Sequence, residues 1–258
     1  MENKELIVII MAGGLGKRMN SDIPKVLHPI GDIPMLVHVI RQAQLLNPYK
    51  IFIVVGKFKE IIENTLREYI IDLNNNIEYV LQEQALGTGH AIMCCRDKLI
   101  ESSKTNPVIN VLVLSGDVPL ITSNTMNKLI SICSLDQIGL IVTNLIDPTG
   151  YGRIIENKNG VFDKIVEEKD CNSSDKLVTK VNCGIYAFNI CTLCKYLPYI
   201  KNENSQNEYY LTDIVEIIKN KSESTNIKLY NIPQDRQYEI IGVNTIEQLN
   251  NLSYYFLV

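Results

Sequence analysis

The sequence predicts an α/β fold: a mostly parallel, mixed sheet flanked by helices. Three observations carry that prediction. Apolar runs of strand length alternate with segments whose apolar residues recur at helical spacing. The first run leads straight into a glycine-rich turn, which suits the carboxyl end of a strand. The chain's 258 residues, 46% hydrophobic and 21% charged, are enough to bury a sizeable core.

Taken in order, residues 6–10 (Leu-Ile-Val-Ile-Ile) are too few to cross a membrane and right for a buried strand. Segments 35–46, 59–70 and 89–100 show helical spacing, and 51–55, 77–81 and 111–114 read as the strands between them. This alternation implies βαβ units with right-handed connections, and ligands gathered at the carboxyl ends of the strands. The second half is richer in strands, at 139–143, 152–156, 161–166 and 181–188. A helix is expected at 208–219, strands at 228–232 and 239–243, and a closing helix at 245–254. No Pro/Gly/Ser-rich linker and no short-period repeat interrupts the chain, so 1–258 reads as one domain.

Composition excludes several classes. A formal charge of −4 argues against broad nucleic-acid binding, although a local cationic pocket remains compatible with it. The first apolar run is too short for a secretory core and no span-length segment follows, so the expected home is the cytoplasm, with no membrane partner. Seven cysteines make an odd count without a secreted-framework spacing. Cys191 and Cys194 form a Cys-x-x-Cys, but no second pair accompanies it, and the segment reads as a short amphipathic helix with reduced thiols.

The chemistry concentrates after the first strand, in Met11-Ala12-Gly13-Gly14-Leu15-Gly16-Lys17-Arg18-Met19, followed by Pro24-Lys25-Val26-Leu27-His28. Glycines let the backbone approach a ligand and present N–H groups to phosphate oxygens, while Lys17, Arg18 and Lys25 add positive charge. A Walker A loop is excluded, because Arg18 stands where the hydroxyl must follow Gly16-Lys17. A dinucleotide fingerprint is excluded by Met19 at its third small position.

Further along, Leu114-Ser115-Gly116-Asp117-Val118-Pro119-Leu120 sets a carboxylate at a strand end before a proline-stiffened loop, a place for a hard divalent cation. Gln82-Glu83-Gln84-Ala85-Leu86-Gly87-Thr88-Gly89-His90-Ala91 follows a strand and opens a helix. There Gln82 offers both a donor and an acceptor to a base edge, and Gly87 allows close backbone approach. His90 lies in the first helical turn and reads as a structural or capping residue rather than a catalytic one.

The glycine loop with its Pro-Lys resembles the signature of the sugar-1-phosphate nucleotidyltransferases. Ser21–His28 and the Gln-x3-Leu-Gly-Thr-Gly-His-Ala segment are similar to those of N-acetylglucosamine-1-phosphate uridyltransferases. Leu-x-Gly-Asp-x-Pro-Leu at 114–120, Gly242-Val243-Asn244 and Glu208-Tyr209-Tyr210-Leu211-Thr212-Asp213 extend the likeness along nearly the whole chain. The resemblance implies a Rossmann-like nucleotidyltransferase fold, with about 1–120 as the nucleotide-binding half and about 121–258 as a strand-rich sugar-binding half. It implies UTP and N-acetylglucosamine 1-phosphate as substrates and Mg²⁺ as cofactor, with Mn²⁺ or Co²⁺ as substitutes. Asp117 and Asn244 would be the metal ligands.

Arg18, Lys25 and Asp117 are the expected catalytic residues. Met11, Ala12, Gly13, Gly14, Lys25, Gln82, Gly87, Thr88, Ser115, Gly116, Asp117 and Asn244 are expected around the nucleotide and the reacting phosphates. Gly152, Glu167, Asn182 and Tyr210 are expected around the sugar.

Three departures stand out: Ser115 where bacterial relatives commonly place Tyr, Gly13 for a frequent Ala, and Cys183 for the usual Thr after Asn182. Many relatives carry a C-terminal hexapeptide-repeat acetyltransferase domain, through which they largely trimerise; its activity is not expected here, and a monomer or homodimer is the expectation. The competing readings are a glucose-1-phosphate uridylyl- or thymidylyltransferase, a cofactor guanylyltransferase, and a nucleotide-sugar sensor without turnover.

Overall fold

The protein is described here by a computed structural model covering residues 6–14, 16, 19, 21, 23–70, 76–222 and 224–256. A sheet of nine strands among these residues forms its centre. Strand β1 (Leu6–Met11) pairs in parallel with β4 (Lys50–Val55) and β6 (Asn110–Ser115), and β4 pairs in parallel with β5 (Ile77–Leu81). Beyond β6 the sheet turns mixed. β10 (Lys180–Asn189) runs antiparallel to both β6 and β7 (Gln137–Asn144), and β11 (Asn226–Asn231) closes the far edge parallel to β7. The hairpin of β8 (Gly152–Glu156) and β9 (Phe162–Val166) branches from the outer end of β10.

The continuous apolar strands are explained by burial on both faces. In β1, Leu6, Val8 and Ile10 join one core cluster, and Ile7 and Ile9 join the other. Helices α1 (Met35–Gln44), α2 (Lys59–Tyr69) and α5 (Ser123–Ser131) cover the first face through Val39, Ile40, Ile62, Leu66, Met126 and Leu129. The opposite face is covered by α3 (Thr88–Met93), α4 (Arg96–Thr105), α6 (Ile190–Tyr196) and α7 (Asp213–Lys221), through Ile92, Leu99, Leu193 and Ile214. A third cluster ties Met19, Ile30 and Met35 to Val243, Leu249 and Leu252, which docks the C-terminal helix α8 (Ile246–Phe256) beside the glycine turn. Between β1 and α1 stands a miniature hairpin, β2 (Pro29–Ile30) and β3 (Ile33–Pro34). Its Gly31-Asp32 turn has both φ angles positive, at 56° and 63°, as a two-residue hairpin requires.

Several expected elements shift. The helix expected at 89–100 is two, α3 and α4, separated at Cys94-Cys95. The helix expected from 208 starts at Asp213, because the backbone of Tyr209 is bonded to the 86–89 segment instead: Tyr209 N donates to Leu86 O (2.8 Å) and Gly89 N to Tyr209 O (2.7 Å). The strand expected at 239–243 is a 3₁₀ helix over Gln234–Ile240, anchored by a buried Glu239 that accepts from the Thr122 and Thr125 hydroxyls. Helix α5 was not anticipated; its signal was Thr122, whose hydroxyl caps it by accepting from Thr125 N. The Cys191–Cys194 segment is the short helix expected, and its thiols are free.

Candidate active site

Strands β1, β4, β5 and β6 end together, and the loops leaving those ends build a cleft of 440 Å³ lined by Gly13, Gly14, Lys25, Gln82, Gly87 and Thr88. A second cleft of 200 Å³ opens beside it, lined by Gly152, Glu167, Asn182, Thr212 and Asn244. Met11, Thr88, Ser115 and Asp117 line both. Asp117 therefore stands where the two spaces meet.

The glycine turn closes back on Lys25. Gly16 has φ +59°, and a side chain there would meet the Lys25 Cβ at 2.6 Å, so only glycine lets the turn lie against that residue. A side chain at Gly14 would meet no atom within 4 Å, which leaves the cleft floor open to a ligand. The Lys25 ammonium donates to Asp117 Oδ2 and to Asn244 Oδ1 (3.0 Å). Both charged groups are largely enclosed, with side-chain exposures of 13% and 16%. Asn244 reaches this point from 127 positions beyond Asp117 because Val243 N donates to Asp117 O (2.9 Å) while the Val243 side chain is fully buried. Ser115 Oγ donates to Asp117 Oδ1 (2.7 Å), which fixes the carboxylate and turns Oδ2 toward Lys25.

This donor set fits a hard divalent cation. One positive charge, the Lys25 ammonium, is already shared by a carboxylate oxygen and an amide oxygen, so the two are close enough to share an ion. Mg²⁺ characteristically takes one or two protein oxygens and completes its shell with phosphates and water. No group of three or more His, Cys, Asp or Glu side chains suited to a metal occurs among the described residues, so a zinc-type cage is not built there.

Gln82 meets its expectation only in part. Its Nε2 donates to Gly87 O (3.1 Å) and faces His90 Nδ1 (3.1 Å), so the amide nitrogen is engaged within the protein and Oε1 is what remains for a base. His90 does not cap α3, whose start has no side-chain cap. Gly87 has φ +108°, and its lack of a side chain serves the Tyr209 backbone, which would lie 2.5 Å from a Cβ there.

In the second cleft, Gly152 packs closely on Ile165, whose Cγ2 would lie 3.1 Å from a Cβ at that position, with Glu167 Oε2 beside it at 3.5 Å. Burial pushes the Glu167 carboxyl up, partly offset by the Thr212 hydroxyl that donates to its Oε1 (2.9 Å). Neighbouring Asp213 is pushed up to about 6, by burial first and then by Glu167. A register shift in β10, with Gly184 at φ +70°, aims Asn182 and Cys183 at the cleft. Asn182 donates to the Tyr186 hydroxyl (2.6 Å) and accepts from Gly184 N (3.3 Å).

Not every expected site residue lines a cleft. Ala12 is buried, with its N–H donating to Val54 O (2.8 Å), and Gly116 is packed under Met11, Leu36 and Val26. Tyr210 is buried and its hydroxyl accepts from Gln206 Nε2 (2.9 Å). These three support the walls. Arg18 lies outside the described residues, as do Lys17 and Asp22. Tyr151, Thr212 and Gly242 line the second cleft without having been singled out; the glycines flanking Tyr151 and the hydroxyl before Asp213 were the available signals.

The family model for nucleotidyl transferases matches residues 7–232. A protein of Acanthamoeba polyphaga mimivirus, named "Probable UDP-N-acetylglucosamine pyrophosphorylase", is 43% identical over 95% of this chain and 94% of its own length. The bifunctional protein GlmU of Paraburkholderia phymatum is 38% identical over 95% of this chain, which spans 51% of that longer protein. A crystal structure of UDP-glucose pyrophosphorylase with UDP-glucose shares the fold at a TM-score of 0.70 with 19% identity, over 98% of both chains.

Proposed function

This chain belongs to the nucleotidyl transferase family, and we propose that it transfers UMP from UTP to N-acetylglucosamine 1-phosphate, releasing pyrophosphate. The observation that carries this reading is the junction of two clefts at Asp117, one glycine-walled with Lys25 in its lining, the other lined by polar groups suited to a sugar. The relatives named for this chemistry support the choice of base and sugar.

In this reading a sugar-phosphate oxygen attacks the α-phosphorus of UTP in line, and the bond to pyrophosphate breaks. The attacking oxygen is already an anion near neutral pH, so no general base is required. The protein's work is to gather two anions that repel each other and to stabilise charge as it develops on the phosphoryl oxygens. Lys25 offsets that charge from the cleft side, and Arg18 is assigned to the outer phosphates. Ser115 and the backbone of Val243 hold Asp117 and Asn244 in register. Mg²⁺ on Asp117 and Asn244, with Mn²⁺ or Co²⁺ as substitutes, would supply Lewis-acid stabilisation of the phosphates. Glu167, whose Oε1 accepts from the Thr212 hydroxyl, lines the second cleft and offers the sugar an acceptor.

The test is pyrophosphate release over a grid of UTP, dTTP, CTP and GTP against N-acetylglucosamine 1-phosphate, its galactose epimer and glucose 1-phosphate, with Mg²⁺ or with chelator. Fastest release from UTP with N-acetylglucosamine 1-phosphate, abolished by chelator, is expected. Preference for glucose 1-phosphate would favour the alternative sugar reading, and binding of nucleotide without release would favour a sensor.

A further inference from the structure

The Gln82 side chain is held by two acceptors at once. Gly87 O can only accept, so the atom 3.1 Å from it is the amide nitrogen. That same nitrogen lies 3.1 Å from His90 Nδ1, which must then accept too, placing the ring proton on Nε2. Both Nε2 hydrogens are thereby engaged. Oε1 is left facing Gly13, where a Cβ would come within 3.2 Å of it, and both residues line the larger cleft. The tether is short: α3 begins at Thr88, and the Gly89 N–H bond to Tyr209 O fixes the turn that carries His90.

We infer that His90 is a positioning residue that sets the choice of base, by holding Gln82 so that the larger cleft presents an acceptor and not a donor. An acceptor there is met by the imide N–H of uracil or thymine. Cytosine carries a lone pair at the same ring atom, so two acceptors would face each other. Without His90, one bond to Gly87 O still holds the amide, but one hydrogen is released toward other partners. The geometry that rejects a ring acceptor then loosens. This inference rests on the larger cleft being the nucleotide site, as proposed above.

The test compares dissociation constants for UTP and CTP, and the corresponding kcat/KM values, in the wild type, His90→Ala, His90→Leu and His90→Asn. The asparagine oxygen can take the acceptor place of Nδ1, whereas alanine and leucine cannot. The UTP-over-CTP preference should fall about tenfold or more in the alanine and leucine variants, the worth of one lost hydrogen bond. It should return to within about threefold of wild type in His90→Asn, with the KM for the sugar phosphate unchanged throughout. A general loss of folding would not move the ratio. A UTP-selective wild type whose alanine and leucine variants remain as selective overturns this inference alone, as does an asparagine variant no more selective than alanine. A wild type that binds UTP no better than CTP overturns it together with the functional reading beneath it.

Discussion

Asp117 is held from three sides: by Ser115 at one carboxylate oxygen, by the Lys25 ammonium at the other, and through its own carbonyl by Val243 N. Ser115 supplies a hydroxyl that orients the carboxylate. Loss of one well-placed electrostatic group costs about 3–4 kcal/mol of transition-state stabilisation. Lys25→Ala and Asp117→Ala should each lose about a hundredfold or more in kcat while retaining the fold, with a lowered melting temperature because each leaves its enclosed partner unpaired. Turnover near that of wild type at saturating Mg²⁺ in either variant would refute the assignment. At this scale the sequence was most legible where residue type constrains chemistry. Lys25, Asp117 and Asn244 meet as expected, although the first and last are 219 positions apart. The spent donor of Gln82 was not legible, because it depends on a histidine ring and a carbonyl that only the folded turn brings together.

The elements that shape the clefts depend on a seam between the start of α3 and the chain leading into α7. Gly89 N, Tyr209 N and the Thr88 hydroxyl, which accepts from Leu211 N (3.0 Å), stitch the two segments together. Gly87 is the residue the seam can least exchange. At φ +108° and ψ 175° it occupies a region open essentially to glycine, and a Cβ would lie 2.5 Å from Tyr209 O. Gly87→Ala should destabilise the fold by about 1–3 kcal/mol and weaken nucleotide binding, read from denaturant unfolding and UTP titration. Unchanged stability would show that the seam carries no strain. The same seam explains why periodicity misplaced the helix at 208: Tyr209 and Tyr210 continue a helical apolar spacing, but the Tyr209 backbone is claimed by Leu86 and Gly89, at least 120 positions away. The run at 239–243 misled for a related reason. Its β-branched residues suit a strand, yet Glu239 is 1% exposed and held by Thr122, Thr125 and Arg236, which fixes a 3₁₀ turn.

Across the whole molecule, the alternating strands and helices of the first half were readable because β1, β4 and β6 are apolar on both faces, a pattern that local sequence records. The antiparallel insertion of β10 between β6 and β7 was not readable. Strand order depends on which edges meet, and no local pattern encodes that. That insertion carries Asn182 to the cleft beside Asp117. No helix among the described residues is long and apolar enough to cross a membrane.

The proposed function requires both reactants to be present when the bond breaks. The most direct measurement is pyrophosphate release in a single turnover, with protein in excess over UTP and Mg²⁺ present, before and after adding N-acetylglucosamine 1-phosphate. Release should be absent with UTP alone and begin only when the sugar phosphate arrives. A burst of pyrophosphate from UTP alone, approaching one per UTP, would mean a covalent nucleotidyl intermediate, and would contradict direct attack across the Asp117 junction.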